Sequence, residues 1–345
     1  MKEYDKNSII GFVLMGIILI IFNMFFFPEV EQQEVPQIKD KINNPISNNS
    51  QEITTNSVIN KKATINKNSA FNYGVFANAA NGEDGFEILE NSLLEIMVSK
   101  KGGHIVSVIL KDYVTYTGER LNLLDSDSSK FNLQFTTGYN INTSELYFES
   151  EHRNNSLSMK LKTDSGDYIE YVYTINDDYL IDFDIHLIGM EDVISSNTNY
   201  MNLEWQIQTP QTEKSKSNQD MYTGIHYQYS TDREVDYLSF TSSDEEKITS
   251  RLNWVAFKQQ FFSTIIISKN GFQKPTNLKS TKNENSQFIK DLYAKFELPY
   301  NHKSKEQLNF QFYFGPNHYK TLKSYNSDFE QLIPLGWGIF GWVNQ

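Results

Sequence analysis

The sequence of 345 residues contains no cysteine. This absence excludes disulfides, thiolate metal sites and a cysteine nucleophile. Positive charge is also scarce: 31 lysines and arginines stand against 43 aspartates and glutamates, for a formal net charge of −12 and a pI of about 5.0. Nucleic-acid binding needs a basic stripe, and general adhesion to anionic lipid needs a basic surface, so the composition argues against both.

Patterns that indicate catalysis or metal binding are missing as well. Asp182 and Asp184 share one face of a predicted strand, and solvation of that face explains them without a catalytic carboxylate pair. Residues 125–130 begin like a calcium loop but lack the required glycine and the final acidic residue. No two histidines have the spacing of metal ligands; they are His104, His152, His186, His226, His302 and His318. We therefore predict no catalytic residue, no cofactor, no metal and no enzymatic activity.

The feature that organises the chain is an apolar run at residues 9–27, which contains no charged residue. A run of about 20 predominantly apolar residues spans the hydrocarbon core of a bilayer as a helix. It is longer than the apolar region of a signal peptide, and no small-x-small cleavage site follows it. The run therefore predicts a transmembrane signal anchor that is not cleaved, in preference to a cleaved signal peptide.

Charges flanking this run predict its orientation. Lys2 and Lys6 precede it, whereas Glu29, Glu31 and Glu34 follow it. Positive flanks stay in the cytoplasm, so we predict a cytoplasmic N-terminus at residues 1–8 and export of the remainder. Residues 28–70 are rich in Asn, Gln, Ser, Thr and Lys and contain no aromatic residue after the run ends. Such a segment cannot bury enough apolar surface to fold, so it predicts a flexible tether with a reach of about 30–40 Å.

The main domain is predicted at residues 71–330 from the alternation of apolar and polar residues. Two alternating runs, 168–175 and 181–187, flank the polar turn 176–178 and predict a β-hairpin with one solvated face. The same period recurs at 292–298 and 308–314. Shorter candidate strands are 93–98, 105–110, 131–135, 157–161, 203–208, 224–229 and 261–268. Many strands with polar turns and few helical patterns predict an all-β sandwich, in one large domain that folds by itself.

Glycines, prolines and polar residues suggest where these elements end. Gly102-Gly103 predicts a tight turn, and Gly315-Pro316 predicts the end of a strand. Asn317 and Asp328 are candidate N-caps of two short C-terminal helices. Residues 331–345 carry no charge and include Trp337 and Trp342, which suits a membrane interface. We expect this segment to lead into a second membrane span that the sequence does not contain; the alternative is a core helix of the domain.

Four local sequences, taken in this order, resemble the YidC membrane protein insertases of Gram-negative bacteria. They are KKGGHIVSVILKDY at 100–113, NWVAFKQQFFSTIIIS at 253–268, FYFGPNHYKTLKSY at 312–325 and IPLGWGIFGWVNQ at 333–345. The sequence is most similar in character to family members from Bacteroidota-like bacteria. The resemblance implies a galactose-mutarotase-like supersandwich on the periplasmic face of the inner membrane. It also implies a role in inserting and folding nascent inner-membrane proteins in the lipid bilayer, alone or with the SecYEG translocon and SecDF.

The working part of that family is a later bundle of five spans with an intramembrane arginine. This sequence has no arginine after Arg251, so no insertase residue can be carried over to it. The resemblance thus implies an anchor and a periplasmic docking module. The alternative is a membrane-anchored periplasmic carbohydrate-binding or epimerase-like sandwich protein, whose sugar site would use the aromatic residues that make up 14% of the chain. The tryptophan-rich terminal segment favours the first interpretation.

Overall fold

The computed structural model of the protein describes residues 72–124, 128–282 and 287–334. The predicted anchor, the predicted tether and residues 335–345 lie outside this part of the chain. Within it, no helix has the length and apolar character needed to cross a membrane. The described residues form antiparallel β-structure with a few short helices.

Nineteen strands are present in the described ranges. In chain order they are β1 (Phe86–Glu90), β2 (Leu94–Ser99), β3 (Ile105–Val114), β4 (Arg120–Asn122), β5 (Ser129–Thr136), β6 (Asn140–Asn142), β7 (Glu149–Arg153), β8 (Ser156–Lys162), β9 (Tyr168–Ile175), β10 (Leu180–Ile188), β11 (Tyr200–Gln208), β12 (Gly224–Tyr229), β13 (Val235–Tyr237), β14 (Asp244–Ile248), β15 (Leu252–Lys258), β16 (Phe262–Phe272), β17 (Thr276–Lys282), β18 (Lys290–Pro299) and β19 (Lys305–Pro316). The helices used below are α1 (Lys216–Tyr222), α2 (Tyr319–Ser324) and a 3-10 helix at Phe329–Leu332.

These strands assemble into three sheets. The largest has nine strands in the order β13-β12-β15-β16-β19-β10-β9-β8-β7. The second has six strands, β14-β17-β18-β11-β5-β6, and the third has four, β1-β2-β3-β4. The predicted hairpin is confirmed as β9 and β10, which pair from Ile181 opposite Ile175 to Ile188 opposite Tyr168.

Aromatic side chains join the nine-stranded sheet to the six-stranded sheet. Trp205 of β11 stacks on Phe257 of β15 with ring centroids 3.9 Å apart. Phe272 of β16 stacks on Phe296 of β18 at 4.0 Å. Each such pair contributes about 0.5–1.5 kcal/mol beyond the burial of its area. Because the two sheets share one buried core, the all-β sandwich is confirmed.

The four-stranded sheet packs on the same core. Leu94, Ile96 and Val98 of β2 are fully buried, and the residues between them are not. Gly102 and Gly103, with φ of 81° and 64°, form the turn between β2 and β3, as predicted. The alternation in β2 and β3 predicted strands but gave no sign that they belong to a separate sheet.

Strand β19 ends at Gly315-Pro316, as predicted, but both residues still belong to the strand. They pair with Ser263 and Phe262 of β16. Proline is tolerated at this last pair because a terminal position need not donate to the ladder. Glycine is required for close approach: a Cβ at Gly315 would lie 2.6 Å from the Tyr313 hydroxyl oxygen.

Candidate functional site

The histidines are distributed over the domain and each has its own surroundings. His152 and His186 pair with Glu87 and Glu170, at 2.9 and 3.1 Å. His302 bonds the Thr198 carbonyl, and His318 bonds the Thr321 hydroxyl. His104 and His226 are buried, and burial lowers the pKa of His104 to about 4. In the three described ranges, no group of three or more potential ligands could hold a metal ion.

The two aspartates of β10 have separate partners instead of forming a pair. Asp182 accepts hydrogen bonds from Lys269 (2.7 Å) and Gln311 (3.0 Å). Asp184 accepts one from Asn309 (2.6 Å). These partners lie on neighbouring strands, so both carboxylates serve the polar face of the sheet. Of the loop at 125–130, residues 125–127 lie outside the described residues, and Ser129 begins β5.

A cluster of contacts lies where the C-terminal segment, residues 317–334, crosses the outer face of the nine-stranded sheet. Trp254, Ile265 and Tyr313 form a second apolar cluster there, separate from the sandwich core. Phe329 and Leu332 of the segment are 1% exposed in this cluster. The sequence motifs at 253–268 and 312–325 therefore meet in one place, which we call the junction.

Trp254 connects the sheet to the segment at the centre of the junction. Its side chain is 1% exposed, and its ring meets the ring of Phe329 edge-on at 5.7 Å between centroids. Its indole N–H donates to the Ser327 carbonyl at 2.9 Å. A buried tryptophan needs such a partner for its N–H, so the contact fixes the backbone of the segment as well as covering apolar surface.

Asn317 holds the other end of the segment, but not as the predicted helix cap. The position before α2 is His318, and its side chain makes no capping bond. The Asn317 amide instead donates to the Gln259 carbonyl (3.0 Å), and its oxygen accepts from the Ser263 hydroxyl (2.6 Å). The physical reason is proximity: Asn317 leaves β19 directly beside the turn between β15 and β16, which offers unpaired backbone groups.

Asp328 was also predicted as a cap, and it does precede the 3-10 helix at Phe329–Leu332. Its side chain makes no capping bond. The carboxylate accepts from Gln228 (2.8 Å) on β12 and from Arg233 (2.6 Å) in the following turn. Asp328 therefore ties the segment to the outermost strands of the sheet. Sequence patterns cannot reveal this role, because its partners lie about 100 residues away in the chain.

Helix α1 closes one end of the sandwich and is held by two buried lysines. Lys258 donates to the Tyr222 carbonyl at 3.1 Å, and burial lowers its pKa to about 8. Lys290 has no exposed surface and lies 3.4 Å from Asp220. Its Nζ donates to the backbone carbonyls of Asp220 (3.0 Å), Thr223 (2.7 Å) and Phe240 (2.7 Å). Sequence reasoning missed Lys290, although its alternation with Leu292 and Ala294 signals an inward side chain.

His226 lies beside this end, on the outer face of β12. Its ring packs between those of Tyr237 (5.6 Å) and Phe240 (5.3 Å), and it is 6% exposed. Burial, and to a smaller extent the charge of Lys258, lowers its pKa to about 3. The folded protein therefore keeps this histidine neutral, whereas the unfolded chain protonates it below its ordinary pKa of about 6.5.

Because unfolding then takes up a proton, His226 makes stability fall as the pH falls from about 6.5 towards 3. His226→Phe retains the ring stacking and removes the titration. Between pH 7 and pH 4 we expect the variant to lose less free energy of unfolding than the wild type, by on the order of 3 kcal/mol. Urea unfolding at pH 7, 5.5 and 4 measures the difference, with His318→Phe as the exposed control. Equal losses in wild type and His226→Phe would contradict the assignment.

Several solved structures align with about two thirds of this chain. A galactose mutarotase related enzyme from Lactobacillus acidophilus aligns with a TM-score of 0.43 and 10% identity, over 67% of this chain and 97% of that one. A putative aldose 1-epimerase from Escherichia coli K12 aligns with a TM-score of 0.41 and 11% identity, over 68% and 100%. These similarities are too low to assign a shared site or activity.

Curated relatives are similar along almost the whole chain. The membrane protein insertase YidC of Parabacteroides distasonis is 36% identical over 368 residues, covering 99% of this chain and 57% of that protein. The protein of the same name from Bacteroides fragilis strain YCH46 is 32% identical over 357 residues, covering 99% and 56%. The chain therefore spans less than two thirds of the length of these relatives. Their names do not favour the carbohydrate-binding alternative.

The resemblance noted in the sequence is confirmed at the level of the family. The model of the YidC periplasmic domain matches residues 88–345, which include every sheet and the junction. This match covers well over half of the 345 residues. The chain belongs to the YidC periplasmic domain family.

Proposed function

We propose that this chain is the anchored periplasmic part of a membrane protein insertase. The observation that carries the proposal is the match to the YidC periplasmic domain, together with relatives named as membrane protein insertases. In this proposal residues 1–8 are cytoplasmic, 9–27 form the anchor in the inner membrane and 28–70 form the tether. Residues 71–330 form the periplasmic domain, and 331–345 lead towards a further span.

Within such an insertase, the domain acts by docking and not by catalysis. Its partners are nascent inner-membrane proteins and the Sec translocon, with SecDF and membrane lipid as further partners implied by the family. In the described ranges, Lys290 and Asp328 have a structural role, since they fix a helix and a segment to the sheets.

The junction holds the C-terminal end of the β domain in a fixed position on the sheet. Residues 317–334 connect the β domain to the segment that is predicted to enter the membrane. Trp254, Asn317 and Asp328 hold this connection to the nine-stranded sheet at three separate points. As far as Pro334, therefore, the connection from the domain towards the predicted membrane segment is fixed to the sheet.

Residues 1–345, expressed alone, are expected not to insert membrane proteins. Insertion requires a polar cavity within the bilayer, and ionisable groups persist at that depth only where they face such a cavity. One predicted span, with Asn23 as its only strongly polar residue, cannot enclose one. The test is complementation of cells depleted of their own insertase, with insertion of a small substrate followed by protease accessibility.

The matched control in this experiment is a full-length insertase of a curated relative, expressed at the same level. It is expected to restore insertion, whereas residues 1–345 restore none. Insertion at normal rates by residues 1–345 would place the activity in the anchor and the β domain, against the proposal.

A further inference from the structure

The face of the six-stranded sheet that is turned away from the core carries a long polar groove. Two hollows lie side by side on this face, with volumes of about 770 Å³ and about 340 Å³. Strand β11 forms the floor of both, and every second side chain of β11 points into them; these are Tyr200, Asn202, Glu204 and Gln206. Side chains two residues apart on a strand lie about 7 Å apart, so the row is about 20 Å long. We call the two hollows together the polar groove.

Two hydrogen bonds join the hollows into one surface. The Asn132 amide, in the smaller hollow, donates to the side-chain oxygen of Asn142 in the larger one at 3.1 Å. The Gln134 amide, in the larger hollow, donates to Glu204 in the smaller one at 3.0 Å. A ligand of sufficient length can therefore lie along β11 across both hollows.

The larger hollow is rich in side-chain amides and poor in charge. Six of its twelve lining residues are asparagine or glutamine, and one, Glu297, carries a charge. The outer face of the nine-stranded sheet has the opposite character: Asp182 pairs there with Lys269 at 2.7 Å, and Glu170 pairs with His186 at 3.1 Å. Because the same chain covers its other solvated sheet face with charged pairs, the amides of the groove need an explanation other than solvation.

Hydrogen-bonding capacity remains unused along the floor of the groove. In the described part of the chain, the side chains of Asn202 and Gln206 make no hydrogen bond. Glu204, between them, is held in place: one carboxylate oxygen accepts from Gln134 and the other from the Tyr293 hydroxyl, each at 3.0 Å. A carboxylate oxygen has two lone pairs, so each can accept one bond more. The floor therefore presents an oriented acceptor between two free amides.

The backbone of the floor is closed to a ligand. Strand β11 pairs with β18 on one side and with β5 on the other. Strand β5 also pairs with β6, and β18 with β17. A peptide that adds as a strand needs an open sheet edge, since main-chain hydrogen bonds give it affinity. This face offers only side chains, which disfavours a polypeptide as the occupant.

Charge and apolar surface disfavour two further classes of ligand. On this face Lys130 and Lys295 are balanced by Glu204 and Glu297, so the groove has no excess of positive charge for a phosphate or another anion. The large apolar side chains of β11 point into the core, where Trp205 is 4% exposed. A lipid tail would therefore find little apolar surface in the groove.

We propose that the polar groove binds a neutral, polyhydroxylated ligand, namely an oligosaccharide. A hydroxyl group donates and accepts at once, so it can donate to Glu204 while it accepts from the amide of Asn202 or Gln206. Tyr200, at one end of the row, is 52% exposed, and its ring offers an apolar face for the C–H groups of a sugar ring. The length of the row suits several sugar units. The proposal adds a ligand to the β domain and does not rest on the docking role.

Saturation-transfer difference NMR tests the proposal on the full chain, because this method detects binding in the millimolar range. The chain is purified in lauryldimethylamine oxide, a detergent that contains no sugar. The probes are maltotriose, cellotriose and triacetylchitotriose, which are neutral and differ in their linkages and in the presence of acetamide groups. We expect saturation transfer from the protein to at least one of these trisaccharides.

Two matched double variants then locate the bound trisaccharide. Asn202→Ala with Gln206→Ala removes the two free amides of the floor. Asn277→Ala with Gln307→Ala removes two amides outside the groove, on β17 and β19, that also make no hydrogen bond in the described ranges. The first pair is expected to raise the dissociation constant fivefold or more, because two ligand hydrogen bonds are lost, and the second to leave it unchanged. None of the four amides holds the fold together, so all variants should keep the melting temperature of the wild type.

Three results would overturn the proposal. Absence of saturation transfer to all three trisaccharides would show that the groove does not bind this class of ligand. Equal dissociation constants in the wild type and in the variant with Asn202→Ala and Gln206→Ala would place the sugar elsewhere. If a neutral peptide of serine and asparagine bound in the groove and the trisaccharides did not, the groove would be a polypeptide site. Each of these results leaves the proposed insertase function as it stands, because that function does not use the groove.

Discussion

Replacing Trp254 by alanine is expected to lower the free energy of unfolding by about 3–5 kcal/mol, the usual cost of truncating a fully buried aromatic side chain. The loss has a specific location. Trp254 fills the cluster that receives Phe329 and donates to the Ser327 carbonyl, so its removal frees the C-terminal segment from the sheet. Trypsin should then cleave after Lys320 and Lys323 in α2 before it attacks the strands. Urea unfolding and the order of tryptic fragments measure the two effects.

Two variants separate the junction from general stability. Trp254→Phe keeps most of the ring packing and loses the hydrogen bond, so its free energy of unfolding is expected to fall by only about 1 kcal/mol. Trp205→Ala removes a tryptophan that stacks on Phe257 in the sandwich core, away from the segment. It should destabilise sheets and segment together, without early cleavage in α2. If Trp254→Ala and Trp205→Ala gave the same order of fragments, the junction would have no separate role.

Lys290→Met is also expected to lower the free energy of unfolding by about 3–5 kcal/mol. The reason is that breaking a buried charge network leaves its partners unsatisfied. Methionine matches the length of the lysine stem but cannot donate to the three backbone carbonyls that Nζ now binds. Burial lowers the pKa of Lys290 while Asp220 opposes that shift. The protein thus retains a costly buried amine, which is consistent with a need to hold α1 and the loop at Phe240.

Lys282 provides the control for that variant. It pairs with the same carboxylate, Asp220, at 3.1 Å, but its side chain is 37% exposed. Exposed ion pairs are worth about 0–1 kcal/mol, so Lys282→Met should change stability little. Equal and small losses in Lys282→Met and Lys290→Met, measured by urea unfolding at pH 7, would show that Lys290 does not hold the helix.

Most strands that the sequence predicts closely are those whose alternation is strict. Strand β9 was predicted with its observed bounds, and β10 and β18 within a few residues, because buried and partly exposed residues alternate along each of them. Strand β12 was also predicted with its observed bounds, although five of its six residues are buried. Strand β19 was predicted within three residues at each end. Strand β15 escaped prediction: Trp254, Val255, Ala256 and Phe257 are all buried, since both faces of that strand are covered. A strand buried on both sides has no alternation to recognise.

The candidate site was harder to predict than the sheets. The motifs at 253–268 and 312–325 were singled out by resemblance, but nothing in either showed that they meet. Asn317 and Asp328 were assigned to local capping, the commonest use of such residues before a helix. Their actual partners, Ser263 and Arg233, are brought close by the pairing of β16 with β19 and by the position of β12. Capping rules consider only residues that are neighbours in the sequence, so they cannot take such distant partners into account.

Hydrogen exchange of single amides tests most directly whether the C-terminal segment belongs to the folded unit of the sheet. Leu322 of α2 donates to the His318 carbonyl and is fully buried, and Ile266 lies in the middle of β16. If the junction joins segment and sheet into one cooperative unit, both amides exchange only through global unfolding, with the same free energy of opening. Exchange of Leu322 that is orders of magnitude faster than that of Ile266 would show a loosely attached segment and contradict the junction.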